Sequence, residues 1–281
     1  MTRVRVPIRL QQAPAFVRQM AQRRHVLRRP LQRQPVFRLC YFSCQSYFSY
    51  LYCALHSLLR SAPHVRYEVL VFSDNDMPLS PAQTEQLQRL MPNLRVVPWP
   101  KSMGWGAEQI GWIWRAYALA AEGLHDDDVV ARVDSDVFFF NDRIFQAVAR
   151  SSAAMVGDGH FVDFEYCQGG CYFLRASTVR AVLALIEREP LETFLAERKI
   201  PVEDIAATAL VQAAGLPIWQ TWFMMFPDEL RNAGGLTAWQ RRKFSCLHFV
   251  MKNKAVMLET YERELLLADD RPAYQQALAT A

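Results

Sequence analysis

The segment Val129-Val130-Ala131-Arg132-Val133-Asp134-Ser135-Asp136 is an apolar run that ends abruptly in two carboxylates one residue apart. β-branched apolar residues read as a buried strand, and acids at the mouth of a buried strand need a partner. Side chains at i and i+2 leave a strand on the same side, roughly 6–7 Å apart. One carboxylate can then hold a divalent cation while the other takes a water ligand or a hydroxyl. Ligands of open α/β sheets bind beyond the carboxyl ends of the strands. Asp134 and Asp136 therefore point to a cation site, and the cation points to a phosphorylated ligand. Acid-x-acid also occurs at strand ends with no ligand, and the pair alone leaves both readings open.

The elements that must position these acids follow from periodicity. Phe37–Ser43 reads as a strand, and Tyr47–Arg60 as a helix with apolar residues at spacings of three and four. Tyr67–Phe72 is a second strand, Pro81–Leu90 a helix and Leu94–Val97 a third strand. A helix over Ala107–Glu122, stopped by Gly123, then feeds the strand Val129–Val133. This alternation is that of a doubly wound α/β sheet. Beyond Asp136 come a helix near Asp142–Ala149, a strand at Ala153–Val156, a polar loop Gly157–Gln168, the Gly169-Gly170 pair and a strand Cys171–Leu174. Helices at Thr178–Glu187 and Val202–Ala214, an aromatic segment Trp219–Phe226 and an apolar stretch Cys246–Val250 complete the pattern.

At 281 residues and 51% apolar, the chain can bury one large core or two small ones, which excludes disorder and coiled coil. Residues 1–38 hold ten arginines and no acid, leaving 22 bases against 28 acids elsewhere. The global +4 thus belongs to a basic N-terminal arm on a mildly acidic body, which disfavours nucleic-acid binding. The arm reads as a contact for an anionic membrane surface or an acidic partner, as a Ser-poor transit-like leader, or as a flexible extension. With neither an apolar span of the required ~18–20 residues nor a secretory core, the expectation is a cytoplasmic protein, peripheral to the membrane at most. The six cysteines form no CxxC pair; Cys167 and Cys171 read as buried free thiols rather than a redox or zinc pair.

The acids, Gly169-Gly170, Glu203-Asp204 and His248 occur in a fixed order, and together they resemble the GT-A glycosyltransferases. These enzymes transfer a sugar from a nucleotide-sugar to an acceptor hydroxyl. The resemblance covers roughly residues 37–255 and includes the opening unit Cys40–Ser43 with Leu55-His56-Ser57-Leu58-Leu59. It implies a Rossmann-like α/β fold with a mixed central sheet flanked by helices. The organisation expected is a basic extension over 1–36 and one domain over 37–281. That domain has a nucleotide-binding half at 37–150, an acceptor half at 151–255 and a C-terminal helix at 256–281.

The resemblance also implies roles. Asp136 would bind Mn²⁺ or Mg²⁺, Asp134 the ribose or the metal shell beside Ser135, and His248 would complete the shell, its nitrogen favouring Mn²⁺. Asp204 would be the base of an inverting reaction, kept ionised by its place at a helix N-terminus, or would position the acceptor if configuration is retained. Pro201 and ordinary helix-start chemistry also account for Glu203-Asp204. Arg115 and Lys252 would reach the diphosphate; Ser43, Cys44 and Asp74 would line the base and ribose pocket. Lys252 departs from families in which glycines follow the histidine. Gly169 and Gly170 would let backbone approach the donor sugar or acceptor, with Glu203 beside them and Trp222, Trp219 or Phe223 stacking on an acceptor sugar or packing in the core. The expected activity is metal-dependent hexosyl transfer from a nucleoside diphosphate-sugar, a UDP-sugar first, to a glycan or protein acceptor.

Two other readings remain. One is a non-catalytic nucleotide-sugar or carbohydrate-binding module on the same fold. The other is a Mg²⁺-dependent phosphatase, disfavoured because Phe138 stands where such enzymes carry Thr or Val and the strand is the fourth, not the first. A nucleotidylyltransferase would need a glycine- and basic-rich loop after the first strand, where Ser43–Tyr47 has no glycine.

Overall fold

The computed structural model describes residues 12–17, 33–102, 106–162, 164–227 and 235–279. Residues 12–17 form a short helix, α1. β1 (Phe37–Ser43) leads through α2 (Phe48–Ser61) to β2 (Tyr67–Ser73), through α3 (Pro81–Leu90) to β3 (Leu94–Pro98), and through α4 (Ile110–Ala121) to β4 (Val129–Val133). These four strands are parallel, as their alternation with helices requires. The start of α3 shows the local chemistry plainly. Ser80 accepts from the Gln83 backbone while the Gln83 side chain reaches back to Ser80, and Pro81 sits in the first turn.

β1 lies between β2 and β4, so the chain winds one way to β2 and β3 and the other way to β4. Such a reversal is where open α/β sheets bind ligands; Ser43 ends one of the two strands that flank it and Asp134 directly follows the other.

After β4 the sheet becomes mixed. β5 (Val137–Phe139) and α5 (Arg143–Arg150) precede β6 (Met155–Val162) and β7 (Phe164–Arg175), with β7 antiparallel to both β4 and β6. α6 (Ala176–Arg188), α7 (Leu191–Glu197) and α8 (Glu203–Ala213) then lead to β8 (Ile218–Thr221), parallel to β6. The seven strands lie in the order β3-β2-β1-β4-β7-β6-β8. β9 (Met224–Met225), α9 (Ala238–Lys243) and β10 (Cys246–His248) follow, and β5, β10 and β9 make a second, three-stranded sheet. A 3-10 turn over Met251–Val256 joins β10 to α10 (Met257–Glu264) and α11 (Arg271–Leu278).

Two segments depart from the sequence reading. The polar loop expected at Gly157–Gln168 is a hairpin of β6 and β7, with a register shift between Gly157 and Gly159. A Cβ on Gly157 would fall 2.4 Å from that of Cys167. Close strand approach, not side-chain propensity, puts glycine in this strand and hides its pattern. The C-terminal helix expected over 256–281 is two helices, because Pro272 belongs in the first turn of a new helix rather than the interior of an old one.

The sheet separates two cores. Leu39 and Tyr41 of β1 face the one that includes α2, α10 and α11, while Cys40 faces the one built on α4, α6 and α8. Each core draws on both sides of residue 150, Val129 with Phe173 in one and Val130 with Leu174 in the other. Buried Asp128, just before β4, accepts hydrogen bonds from the backbone N–H groups of Val36 and His125 at 2.8 and 2.9 Å and from Arg33. Arg175 donates to the carbonyls of Asp127, Val148 and Ser151 at 2.6–2.7 Å. These anchors fix the N-terminal end of β4, and with it the point where Asp134 emerges. Among the described residues no helix is long and apolar enough to cross a membrane.

Candidate metal and nucleotide-sugar site

β4 pairs with β7 so that Val133 lies opposite Cys171, and the Asp134 N–H donates to the Gly170 carbonyl at 2.9 Å. The chain turns at once, the Val137 N–H closing on the Asp134 carbonyl at 3.1 Å. Antiparallel pairing of β5 with β10 then sets His248 opposite Val137, and the Phe249 N–H donates to the Asp136 carbonyl at 2.9 Å. Two backbone turns therefore bring three side chains from distant positions together. Asp134, Asp136 and His248 each offer a ligand atom within 4.8 Å of the others.

Asp136 is 4% exposed, and its Oδ1 lies 3.4 Å from His248 Nε2 with no hydrogen bond to satisfy it. A buried carboxylate oxygen without a hydrogen-bond partner, beside a second carboxylate and an imidazole, is a donor set that fits a divalent cation. Burial works to raise the Asp136 pKa, but the His248 contact and the Lys254 charge outweigh it and hold it below the usual range. Asp134 goes the other way. Burial raises it, repulsion from Asp136 adds to that, and Arg132 opposes both.

Two cations complete the corner. The 3-10 turn carries Lys254 Nζ to 2.9 Å from Asp136 Oδ2, where it also donates to the Tyr47 hydroxyl at 2.9 Å and lies 4.3 Å from that ring's centroid. Arg132, 11% exposed at its side chain, places Nε 3.1 Å from Asp134 Oδ1 and Nη2 3.3 Å from Glu203 Oε1. It ties the end of β4 to the first turn of α8. Burial raises the Glu203 pKa against the pull of Arg132.

Gly169 and Gly170 admit the protein's own side chains. A Cβ on Gly170 would stand 2.3 Å from His248 Cε1, and one on Gly169 would stand 2.9 Å from Asp204 Oδ2. Asp204 Oδ2 accepts from the Gly169 N–H at 3.1 Å. The pair thus holds a metal-ligand candidate and the candidate base against one strand.

No protein-family model matches the chain, and no curated protein matches its sequence. Solved structures do match its shape. The apo structure of the bifunctional glycosyltransferase WbbM aligns with a TM-score of 0.52 at 11% identity, over 89% of this chain and 52% of that one. The apo form of the glycosyltransferase GlyE of Streptococcus pneumoniae TIGR4 aligns with a TM-score of 0.51 at 11% identity, over 88% and 63%. The galactosyltransferase LgtC, in complex with donor and acceptor sugar analogs, aligns with a TM-score of 0.50 at 12% identity, over 84% and 99%. The fold is GT-A. The chain spans nearly the whole of LgtC but about half of WbbM and under two thirds of GlyE.

Within this GT-A fold, the remaining candidates sort by position. Ser43 and Asp74 meet at the ends of β1 and β2, the Asp74 N–H donating to the Ser43 carbonyl at 2.9 Å. Asp74 Oδ1 accepts from the N–H groups of Asp76 and Met77, and Oδ2 from the Ser102 hydroxyl, so this carboxylate shapes its own loop. Ser43 is buried with an unpaired hydroxyl, Cys44 Sγ lies 3.2 Å from Ser46 Oγ, and Ser135 donates to the Phe42 carbonyl. Arg115 is exposed, its guanidinium 4.5 Å from the Trp112 ring centroid rather than against the carboxylates. The side chain of Lys252 lies outside the described residues, as do residues 1–11 and 18–32 of the basic arm. Trp219 and Phe223 pack in the core, whereas Trp222 is half-buried and donates from Nε1 to the Gly159 carbonyl at 3.2 Å.

Among the described residues, Arg132 and Lys254 join the site without having stood out in the sequence. For Arg132 the signal was present: a cation inside a buried strand requires carboxylate partners. Lys254 is brought to Asp136 by the 3-10 turn after His248, which no local sequence pattern announces.

Proposed function

We propose that this chain is a metal-dependent glycosyltransferase that moves a sugar from a nucleoside diphosphate-sugar, a UDP-sugar first, to an acceptor hydroxyl with inversion. The observation that carries the reading is the convergence of Asp134, Asp136 and His248 within 4.8 Å at the reversal between β1 and β4. Two carboxylates and one imidazole suit Mn²⁺ or Mg²⁺, the nitrogen favouring Mn²⁺. A cation bound there would neutralise charge on the departing diphosphate. Lys254, held between Asp136 and Tyr47, is placed to lend a second positive charge to a phosphate. Arg132 keeps Asp134 and Glu203 in register. Asp204 rests one oxygen on the Gly169 N–H and has the other to take the acceptor's proton.

Calorimetric titration of UDP into the protein with and without Mn²⁺ tests the assignment. Binding should require the metal, and Asp136→Ala should weaken it on the order of 100-fold or more, beyond the effect expected of an outer-shell residue. UDP binding that stays metal-dependent in Asp136→Ala would remove Asp136 from the metal site.

A further inference from the structure

Along β7 the glycine pair is followed on its N-terminal side by Gln168, and there the surface changes character. Gln168 and Gln12 each bring an amide nitrogen to 3.3 Å from His160 Nδ1. Phe16 of α1 stacks on Trp222, with ring centroids 4.1 Å and planes 10° apart, and meets Phe161 edge-on at 6.0 Å. Gln12 is 4% exposed and Phe16 is partly buried, whereas Pro14 and Val17 on the same helix are exposed. Trp222 is anchored independently of α1 by its hydrogen bond to the Gly159 carbonyl. At a strand rise of about 3.3 Å per residue, Gln168 lies one step from Gly169, whose N–H holds Asp204.

A fixed aromatic face flanked by an imidazole and an amide is the chemistry that takes a pyranose, its C–H face on the ring and its hydroxyls on the polar groups. α1 offers both complements from within the chain, a flat apolar ring and an amide. We propose that Trp222, His160 and Gln168 form the platform for an acceptor saccharide, and that α1 is an intramolecular strap that occupies it. The proposal rests on the glycosyltransferase reading and names its acceptor class. Phe16 stands where the sugar ring would lie and Gln12 where a hydroxyl would. An acceptor then binds only the fraction of molecules with the strap lifted, and its apparent affinity falls by that fraction. Loss of the Phe16–Trp222 stack lowers the closing equilibrium about 2- to 10-fold.

Ligand-detected NMR titration of the full chain with methyl β-D-glucopyranoside, methyl β-D-galactopyranoside and lactose tests this. Phe16→Ala should bind at least one of these probes about 2- to 10-fold more tightly than the native chain. Gln12→Ala should gain less in the same direction, and it serves if Phe16→Ala fails to fold. Adding Trp222→Ala to Phe16→Ala should abolish the gain. No gain in either single variant, no binding of any probe, or binding that survives the loss of Trp222 overturns the proposal. UDP with Mn²⁺ is titrated in parallel. Equal UDP affinity in all variants without a glycoside gain defeats the strap alone, whereas absence of UDP binding in the native chain defeats the glycosyltransferase reading.

Discussion

The corner formed by Asp134, Asp136 and His248 and the edge formed by Trp222, His160 and Gln168 lie on either side of the same glycine pair, and they are built differently. In the corner the described carboxylates meet cations of the body, Arg132 between Asp134 and Glu203 and Lys254 on one oxygen of Asp136, while the other Asp136 oxygen is left for a ligand. The edge is aromatic and amide in character, and a segment of the chain's own N-terminal arm covers it. Buried charge has to be balanced whether or not a ligand is present, so the corner's partners are residues of the body. An apolar face needs only to be covered, and a short helix can do that reversibly.

The largest effect is expected at Arg132. Arg132→Met leaves two partly buried carboxylates without their cation; breaking a fully buried pair costs about 3–5 kcal/mol, and the partial exposure of Asp134 brings the expected loss to about 2–4 kcal/mol. Urea denaturation should show a destabilisation of that size, with Arg132→Lys recovering part of it. A loss below about 1 kcal/mol would mean that water already screens the corner. Gly170→Ala comes next, since its methyl must displace the His248 ring. It should cost about 1–3 kcal/mol of stability and weaken Mn²⁺-dependent UDP binding, while Phe16→Ala leaves that binding unchanged. A Gly170→Ala protein with native UDP affinity would separate His248 from the metal.

The smallest effect sharpens the contrast from the far end of β4. Burial works to raise the Asp128 pKa, but the Val36 and His125 N–H groups and Arg33 overcome it and hold the carboxyl below its usual range. A depressed folded-state pKa stabilises the fold above the unfolded value of about 3.9, and that contribution is lost as pH falls through the folded value. Asp128→Asn should therefore be less stable by about 1–2 kcal/mol at neutral pH and converge on the native protein in acid. Parallel stability curves from pH 7 into the acid range would show that Asp128 does not carry this dependence.

Legibility in the sequence followed range. β1 to β4 and their helices were readable because each shows its own period, and Asp134 and Asp136 because they break an apolar run. His248 became a candidate only through the order of motifs, since its strand is three residues long and gains its meaning from pairing with β5. The hairpin of β6 and β7 was hidden by glycines whose purpose is close approach across the strands. Arg132 sits inside a strand pattern that masks it, although a charge buried there demands carboxylates. The seating of Phe16 on Trp222 joins positions far apart in sequence, and no local pattern announces it.

The central claim is metal-dependent transfer from a nucleotide-sugar. Release of nucleoside diphosphate from a panel of UDP-, GDP- and dTDP-sugars, with and without Mn²⁺, tests it most directly. Release is expected from one donor class, dependent on the cation and lost in Asp136→Ala. No release from any donor, together with no thermal stabilisation by UDP plus Mn²⁺, would contradict it.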